Sequence, residues 1–383
     1  MRWIMAHAQD RGKDKPMLKR VVMLADFDYF FAQCEELRNP ELKDKPVVVG
    51  VYSGRTEESG AVSTSNYVAR KFGVKSGMPL FLAKRKLEGT DAVFLPVDHE
   101  YYDQISERTM QIFRGYATIL EQVSVDEAYL DVTEQVSGSY EKAKDYALKM
   151  KSQVKAETGI SFTVGIGPNK LISKIACDSQ KPDGLTIITA DEVGCFLSPL
   201  PVDRLLGVGK KISAKMDSLG IKTIDELAKF NVQKLFEIFG KTLGLYFHNA
   251  ANGIDNEPVE ESGEALSIGR IGTLKQDSHE LEFILQKTDE LIDDISKEIS
   301  EKNLSFKLVG IYAVMTDLSS KSRSVTIEQP AKDRETIKKN AKALLEKFLN
   351  ESPLALRRVG VKVSGFSREE QKQKQLTSFF QNT

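Results

Sequence analysis

The apolar run Arg20-Val21-Val22-Met23-Leu24-Ala25 stops abruptly in Asp26-Phe27-Asp28. A run this short, bounded by charge, reads as a buried strand rather than a helix. A carboxylate at the end of such a strand is costly to bury unless something pairs with it. A second site of this kind follows about a hundred residues later. Leu120 to Val132 holds two short alternating runs around an acidic tip, Asp126-Glu127, the pattern of a β-hairpin. A divalent metal is one partner that such acids accept, and Mg²⁺ takes hard oxygen ligands together with substrate phosphates. Two such ions ~4 Å apart clamp an in-line phosphoryl or nucleotidyl displacement. The alternative is that these are surface turn acids, and spacing alone leaves both open.

Composition narrows the field. At roughly 100–200 residues per domain, 383 residues predict two to four domains. Hydrophobic residues at 41% and charged residues at 28% exclude wholesale disorder, collagen and a disulfide-stapled miniprotein. Apolar runs such as Val47-Val48-Val49 fall far short of the ~20 residues that span a bilayer. The N-terminal stretch lacks the apolar core of a secretory signal. Cys34, Cys177 and Cys195 are widely spaced with no CxxC, so neither a zinc site nor a disulfide framework is indicated. A reducing compartment, the cytoplasm, is the expectation. The net charge of −1 says little, because an enzyme that grips an anion can balance a basic cleft with acidic outer faces. Locally, Arg204 to Lys241 carries eight Lys/Arg against four Asp/Glu. Asp289 to Asp294 reads as a solvated acidic helix face.

No repeat at solenoid spacing is present. After the first strand the pattern predicts a helix from Tyr29 to Leu37 and a strand at Pro46–Val51. Short and long helices follow at Asn66–Phe72 and Tyr101–Tyr116, then the hairpin, a helix at Glu141–Glu157, a strand at Phe162–Ile166, a helix at Asn169–Asp178 and a strand at Gly184–Ile188. This succession is that of a ferredoxin-like α+β core. Beyond Ala190 come short helices broken by glycines, a small all-helical domain. Gly253 to Gly263 is polar and acidic and reads as an interdomain linker. Leu266 to Phe366 alternates strands with helices near Glu280–Lys302 and Arg334–Asn350, a separate α+β domain. The tail is polar apart from its last residues.

Ala25-Asp26-Phe27-Asp28-Tyr29-Phe30-Phe31 with Ser124-Val125-Asp126-Glu127-Ala128-Tyr129-Leu130-Asp131 resembles the catalytic core of the Y-family DNA polymerases, in their DinB branch. The clamp-type peptide in the tail, with no import signal in view, points to the archaeal members among them. Further matches follow in order: Ser63 to Gly73, Val164-Gly165-Ile166-Gly167-Pro168-Asn169-Lys170, and Gln180-Lys181-Pro182-Asp183-Gly184. The similarity runs from about Arg20 through Phe366. It implies a right-hand α+β polymerase with a ferredoxin-like palm (18–29 and 95–189), small fingers (30–94), a helical thumb (190–252), a linker (253–265) and an α+β little finger (266–366), flanked by an extension (1–17) and a tail (367–383). It also implies a low-fidelity translesion enzyme with a spacious site and no proofreading exonuclease, acting as a monomer.

The resemblance assigns Asp26, Asp126 and Glu127 as catalytic carboxylates that hold two Mg²⁺ ions, with the Phe27 carbonyl as a further ligand and Glu127 serving mainly the primer-side ion. Tyr67, Arg70 and Lys181 correspond to the triphosphate clamp for dNTP. Arg70 can donate in a fork and Lys181 supplies a point charge. Tyr67 and Arg70 stand at i and i+3 on one helix and so share a face. Phe31 matches the aromatic steric gate against a ribose 2′-hydroxyl. Phe30 is its neighbour at the nucleotide and points to a different face. Arg55 would lie over the nascent base pair.

Leu205-Leu206-Gly207-Val208-Gly209-Lys210-Lys211 resembles the turn of a helix-hairpin-helix, in which Gly207 and Gly209 allow close approach to a primer-template DNA phosphate and Lys210 and Lys211 begin the next helix. Arg323 and Arg358, in the little finger, read as phosphate-contacting edges. In the tail, Gln373, Leu376, Phe379 and Phe380 match QxxLxxFF, the peptide that binds a sliding clamp of PCNA type. Leu376, Phe379 and Phe380 stand at i, i+3 and i+4, so one helical turn presents an apolar plug. Two rival readings are a non-catalytic repair scaffold and a cyclase-like nucleotidyl transferase. The three acids speak against the first, and the thumb, extra DNA-binding domain and clamp peptide against the second.

Overall fold

The computed structural model describes residues 18–261, 263 and 265–367. The strands and helices run β1 Val22–Phe27, α1 Phe30–Arg38, β2 Val47–Tyr52, β3 Gly60–Ser65, α2 Tyr67–Lys71, α3 Leu80–Lys86, β4 Val93–Pro96, α4 His99–Arg114, β5 Ile119–Gln122, β6 Glu127–Asp131, α5 Tyr140–Thr158, β7 Phe162–Gly167, α6 Lys170–Ser179 and β8 Leu185–Ile187. Four helices follow, α7 Val193–Leu197, α8 Lys210–Asp217, α9 Ile224–Lys229 and α10 Val232–Ala251. The last stretch is β9 Ser267–Ser278, α11 Leu281–Glu301, β10 Phe306–Met315, β11 Ser320–Ala331, α12 Arg334–Glu351 and β12 Leu356–Ser364. The described chain divides into two compact units, one of 18–49, 63–75 and 89–261, the other of 50–62, 76–88, 263 and 265–367.

The first unit is built on a five-stranded sheet in the order β5-β6-β1-β7-β8. The β1-α4-β5-β6-α5-β7 succession with β6 and β7 flanking β1 is the ferredoxin-like arrangement expected from the sequence. The strands pair antiparallel except for β8, which joins β7 in parallel. All six residues of β1 are buried, which accounts for an unbroken apolar run where a half-exposed strand would alternate. Met23, Ala25 and Phe27 enter the main core with Tyr102, Met110 and Phe113 of α4 and Ala147 and Met150 of α5. Val22 and Leu24 point the other way and pack with Tyr129, Cys177 of α6 and Val259. The period of two therefore places Asp26 on the α6 face.

Helix α6 starts at Asn169, whose side chain accepts from the Ile172 N–H. It lies close against the sheet because Gly165 carries no side chain: a β-carbon there would stand 2.0 Å from the Ser173 carbonyl oxygen. Ser173 Oγ donates to the Val22 carbonyl at 2.8 Å and completes the attachment.

In the second unit a sheet in the order β11-β10-β12-β9 packs one face on α11 and α12. Val309, Ile311, Val359 and Val361 meet Ile284, Ile292, Ile337 and Leu345 there.

Several local expectations change. β9 is a twelve-residue strand at the sheet edge that the sequence pattern does not announce, since its alternation is weak and largely polar. β11 extends well beyond the apolar Val325–Ile327 kernel. β3 and α3 are additions as well. The stretch expected to be a linker is docked on the first unit: Val259 is buried, Asn169 Nδ2 donates to the Gly253 carbonyl at 2.8 Å, and Asp255 accepts from the Leu171 N–H at 3.0 Å. No helix among the described residues is long and apolar enough to cross a membrane.

Candidate active site

Register brings the acids together. Asp26 at the end of β1 is paired with Glu127 on β6 and with Thr163 on β7, so the three side chains form one row beneath α6. Asp26 is 7% exposed. Two ammonium groups compensate it. Lys181 Nζ lies 2.7 Å from Asp26 Oδ2, and Lys174 Nζ of α6 lies 3.1 Å from the same oxygen. Lys174 also reaches Glu127 Oε2 at 2.8 Å. Asp178, one turn further along α6, approaches Lys181 at 3.2 Å and Lys174 at 3.8 Å. Three carboxylates thus face two ammonium groups, which leaves one surplus negative charge.

Burial pushes the Glu127 carboxyl up, against its bond to Lys174. For Lys174 burial works against the charged form, but Asp26 and Glu127 outweigh it and hold the ammonium pKa above its ordinary value. Lys181 is raised in the same way, chiefly by Asp26.

Asp126 stands in the turn before β6. Its carbonyl accepts from the Phe27 N–H at 2.8 Å, which locks the hairpin tip to the end of β1. Its carboxylate accepts from Ser124 Oγ at 2.5 Å. Glu127, expected to play the lesser part, is thus the acid paired with Asp26, while the Asp126 side chain turns to its own loop. Among the described residues no three Asp, Glu, His or Cys groups converge closely enough to hold a metal as they stand. The donor set still suits one: Asp26, Glu127, Asp126 and the Phe27 carbonyl are hard oxygens on adjoining backbone, and the surplus charge favours a cation.

Tyr29 enters α1 with φ 38° and ψ 43°, a left-handed conformation unusual for a bulky side chain. The two phenylalanines that follow are successive helical residues, turned about 100° from one another. Phe30 is 3% exposed and packs on Phe27 at 4.9 Å, so its ring, expected at the nucleotide, belongs to the core. Phe31 is partly buried and stacks on Tyr102 at 4.5 Å, which fixes its plane. Tyr67 meets Tyr29 edge-on at 5.2 Å, and the Arg70 guanidinium lies 4.7 Å over the Tyr67 ring while Nε donates to the Ser65 carbonyl. Tyr67 and Arg70 therefore do share a face.

Two residues that sequence reasoning passed over complete the site. Asp28, 1% exposed, accepts from Thr163 Oγ1 and from the Asp183 N–H, both at 2.8 Å, and so ties the segment after Lys181 to β1. Its carboxyl is pushed up by burial. Lys174 is the other. Its only sequence signal is position: it is four residues from both Lys170 and Asp178 on one helix.

The remaining expected contacts lie elsewhere. Gly207 adopts φ 83°, the left-handed region that favours glycine, and Leu206 O accepts from Tyr246 Oη at 2.7 Å. Gly209 caps α8, and Lys210 and Lys211 are exposed at its start. In the second unit Arg358 is exposed and pairs with Val314 and Thr273, on the face away from the helices. Arg323 pairs instead with Ile311, a core residue, and its guanidinium binds Glu351 of α12 at 2.9 Å. The two arginines do not share a face. Arg55 donates to the Leu274 carbonyl at 2.7 Å and to Asp277 at 2.5 Å. The Arg357 guanidinium on the same acid, with Arg55 beside it, holds the Asp277 carboxyl down at about 2. Gln373, Leu376, Phe379 and Phe380 lie outside the described residues.

A ferredoxin-like sheet with a carboxylate row at one strand end, a helical domain and a second α+β domain is the layout expected of a right-hand polymerase. Comparison with known proteins agrees. Residues 25–178 match the impB/mucB/samB family, residues 265–377 its C-terminal domain, and residues 203–255 the DNA polymerase-iota thumb domain. The DNA polymerase IV of Nitrosopumilus maritimus is 45% identical over 365 residues, 95% of this chain and 100% of that protein. That of Saccharolobus solfataricus is 38% identical, over 90% of this chain and 96% of its own. Among solved structures, a Y-family DNA polymerase chimera of Dbh and Dpo4 aligns with a TM-score of 0.86 at 36% identity, over 91% of this chain and 99% of its own. An insertion ternary complex of Dbh DNA polymerase aligns at 0.66 and 36% identity, over 90% and 98%. The chain belongs to the impB/mucB/samB family and is a Y-family DNA-directed DNA polymerase.

Proposed function

We propose that this polymerase performs low-fidelity translesion synthesis, joining a dNTP to a primer 3′-hydroxyl in a site built from Asp26, Asp126 and Glu127, in the cytoplasm and as a monomer. The observation that carries the reading is the Asp26–Glu127 row beneath α6, Asp26 buried and Glu127 half-buried, with a surplus of negative charge and Lys181 directly on Asp26. Asp26, Asp126, Glu127 and the Phe27 carbonyl would hold two Mg²⁺ ions. Such ions, when bound, lower the pKa of the primer hydroxyl and offset charge on the departing pyrophosphate. The chain's own residues do the rest. Arg70, fixed over Tyr67, offers a forked donor to the triphosphate, and Lys181 adds a point charge. Phe31, held flat by Tyr102, denies volume to a ribose 2′-hydroxyl. The Gly207–Lys211 turn and Arg358 contact DNA phosphates without reading sequence.

The tail motif at Gln373, Leu376, Phe379 and Phe380 supports tethering to a ring clamp, which would raise the effective concentration of enzyme at the primer end. The experiment is primer extension past an abasic site with Mg²⁺ and dNTPs, using wild type, Asp126→Ala and a chain lacking residues 373–383, each with and without clamp. Wild type extends and is stimulated, Asp126→Ala is inactive in both conditions, and the truncation extends without stimulation. Extension by Asp126→Ala within about tenfold of wild type would contradict the two-metal assignment. Full stimulation of the truncation would remove the clamp role of the tail.

A further inference from the structure

Lys174 has no part in the reaction as described so far, yet it makes the closest contact to Glu127. It sits in the middle of α6 with its side chain 18% exposed, and it bridges Asp26 Oδ2 at 3.1 Å and Glu127 Oε2 at 2.8 Å. Lys181 touches Asp26 but no contact of it with Glu127 is seen, and Lys170, one turn before Lys174, is engaged with Glu121 at 3.0 Å. Lys174 therefore stands where a cation shared by the two carboxylates has to stand. Its backbone does not move freely, because Gly165 and Ser173 seat α6 against the sheet. Its ammonium does, on a four-carbon stem. A second acceptor waits for it: Asp178 Oδ1, at 3.8 Å in the i,i+4 relation and 41% exposed.

We propose that Lys174 is a place-holding residue that keeps Asp26 and Glu127 paired and compensated before a divalent cation arrives, and that yields to Asp178 when one binds. The inference rests on the metal reading of Asp26 and Glu127. Two like charges held this close under a helix repel and are expensive to leave uncompensated. The lysine removes that cost in the metal-free chain and keeps both carboxylates turned toward one shared cation. The same contact competes with the metal, so the chain gives up metal affinity in exchange for a preformed site. Lys174 is thus a positioning residue, not a phosphate ligand.

The test is Mn²⁺ binding to the full chain without DNA or nucleotide, read by electron paramagnetic resonance of free Mn²⁺, together with thermal unfolding with and without Mn²⁺. Lys174→Met should bind Mn²⁺ about tenfold more tightly than wild type, since no ammonium has to be displaced. It should also unfold at lower temperature without metal, and the gap should close at saturating Mn²⁺. Lys174→Arg, which keeps the charge, should unfold like wild type. Asp178→Asn removes an exposed acceptor that Lys181 also approaches, and one anionic charge with it. It should therefore weaken Mn²⁺ binding more in wild type than in a Lys174→Gln background, where no displaced ammonium needs an acceptor. Lys174→Gln also keeps the proposal testable if Lys174→Met fails to fold. Lys170→Met, with equal charge removed one turn away, should leave the affinity within about twofold. Equal or weaker Mn²⁺ binding by Lys174→Met, equal tightening by Lys170→Met, or the same loss from Asp178→Asn with and without Lys174 would overturn the place-holding role while Asp26→Asn still abolished binding. Unchanged Mn²⁺ binding by Asp26→Asn would instead sink the metal reading itself, and this inference with it.

Discussion

In the first unit α4 and α5 cover one face of the sheet, and α6 with the 253–261 segment covers the face opposite. In the second unit α11 and α12 likewise cover one face, but the other carries Tyr312, 40% exposed, together with exposed Arg358 and Lys362. The two sheets begin from the same four antiparallel strands and two helices. What differs is the cover on the second face. Where that face is closed, each charge must find a partner, and Asp26, Glu127, Lys174, Lys181 and Asp178 become one coupled cluster. Breaking one buried pair of this kind costs about 3–5 kcal/mol. Where the face is open, charges stay hydrated and act singly, which suits phosphate contacts that position DNA without specifying sequence.

The largest effect that sharpens this contrast, short of removing an acid, is expected at Phe31. Phe31→Ala should lower the ratio of deoxyribonucleotide to ribonucleotide insertion efficiency by about a hundredfold, the discrimination a pocket achieves over one hydroxyl. Competing single-nucleotide insertion measures it, and an unchanged ratio would make Phe31 an ordinary core residue. Next is the closure itself. Gly165→Val places side-chain atoms against the Ser173 carbonyl and should destabilise the chain by about 1–3 kcal/mol. Chemical denaturation reads this, and full stability would mean that α6 is not held by this contact. The smallest effects belong to the open face. Arg358→Ala should weaken DNA binding a few-fold and reduce the salt slope by about one. Arg323→Ala, whose guanidinium is spent on Glu351 at the helix-covered face, should change neither. Equal losses from both would erase the distinction between the faces.

The legibility of the sequence follows the same division. A buried strand ending in Asp26 and a hairpin with Asp126-Glu127 at its tip are costly patterns that drew attention to the carboxylates, but only the family resemblance gave them a role. The ferredoxin-like order was readable from the alternation of strong helix and strand signals. Lys174 was not readable, since a lysine inside a helix looks solvated. Only the close approach at Gly165 and the register of Asp26 against Glu127 turn it inward. β9 escaped for the opposite reason: an edge strand with one open face needs few apolar residues. Arg323 and Arg358 looked equivalent as basic turns, and pairing register alone separates them. Val259 looked like part of a free linker because one valine in an acidic stretch carries no periodicity, although it fills a gap beside Leu24 and Tyr129.

The central claim is that the closed face carries the chemistry and the open face only the grip. Asp26→Asn tests it most directly, with single-turnover extension and primer-template affinity measured on the same protein. The account predicts that extension falls by about a thousandfold or more while the dissociation constant for DNA stays within about threefold, the phosphate contacts being untouched. Extension within about tenfold of wild type, or a parallel collapse of DNA binding, would contradict it.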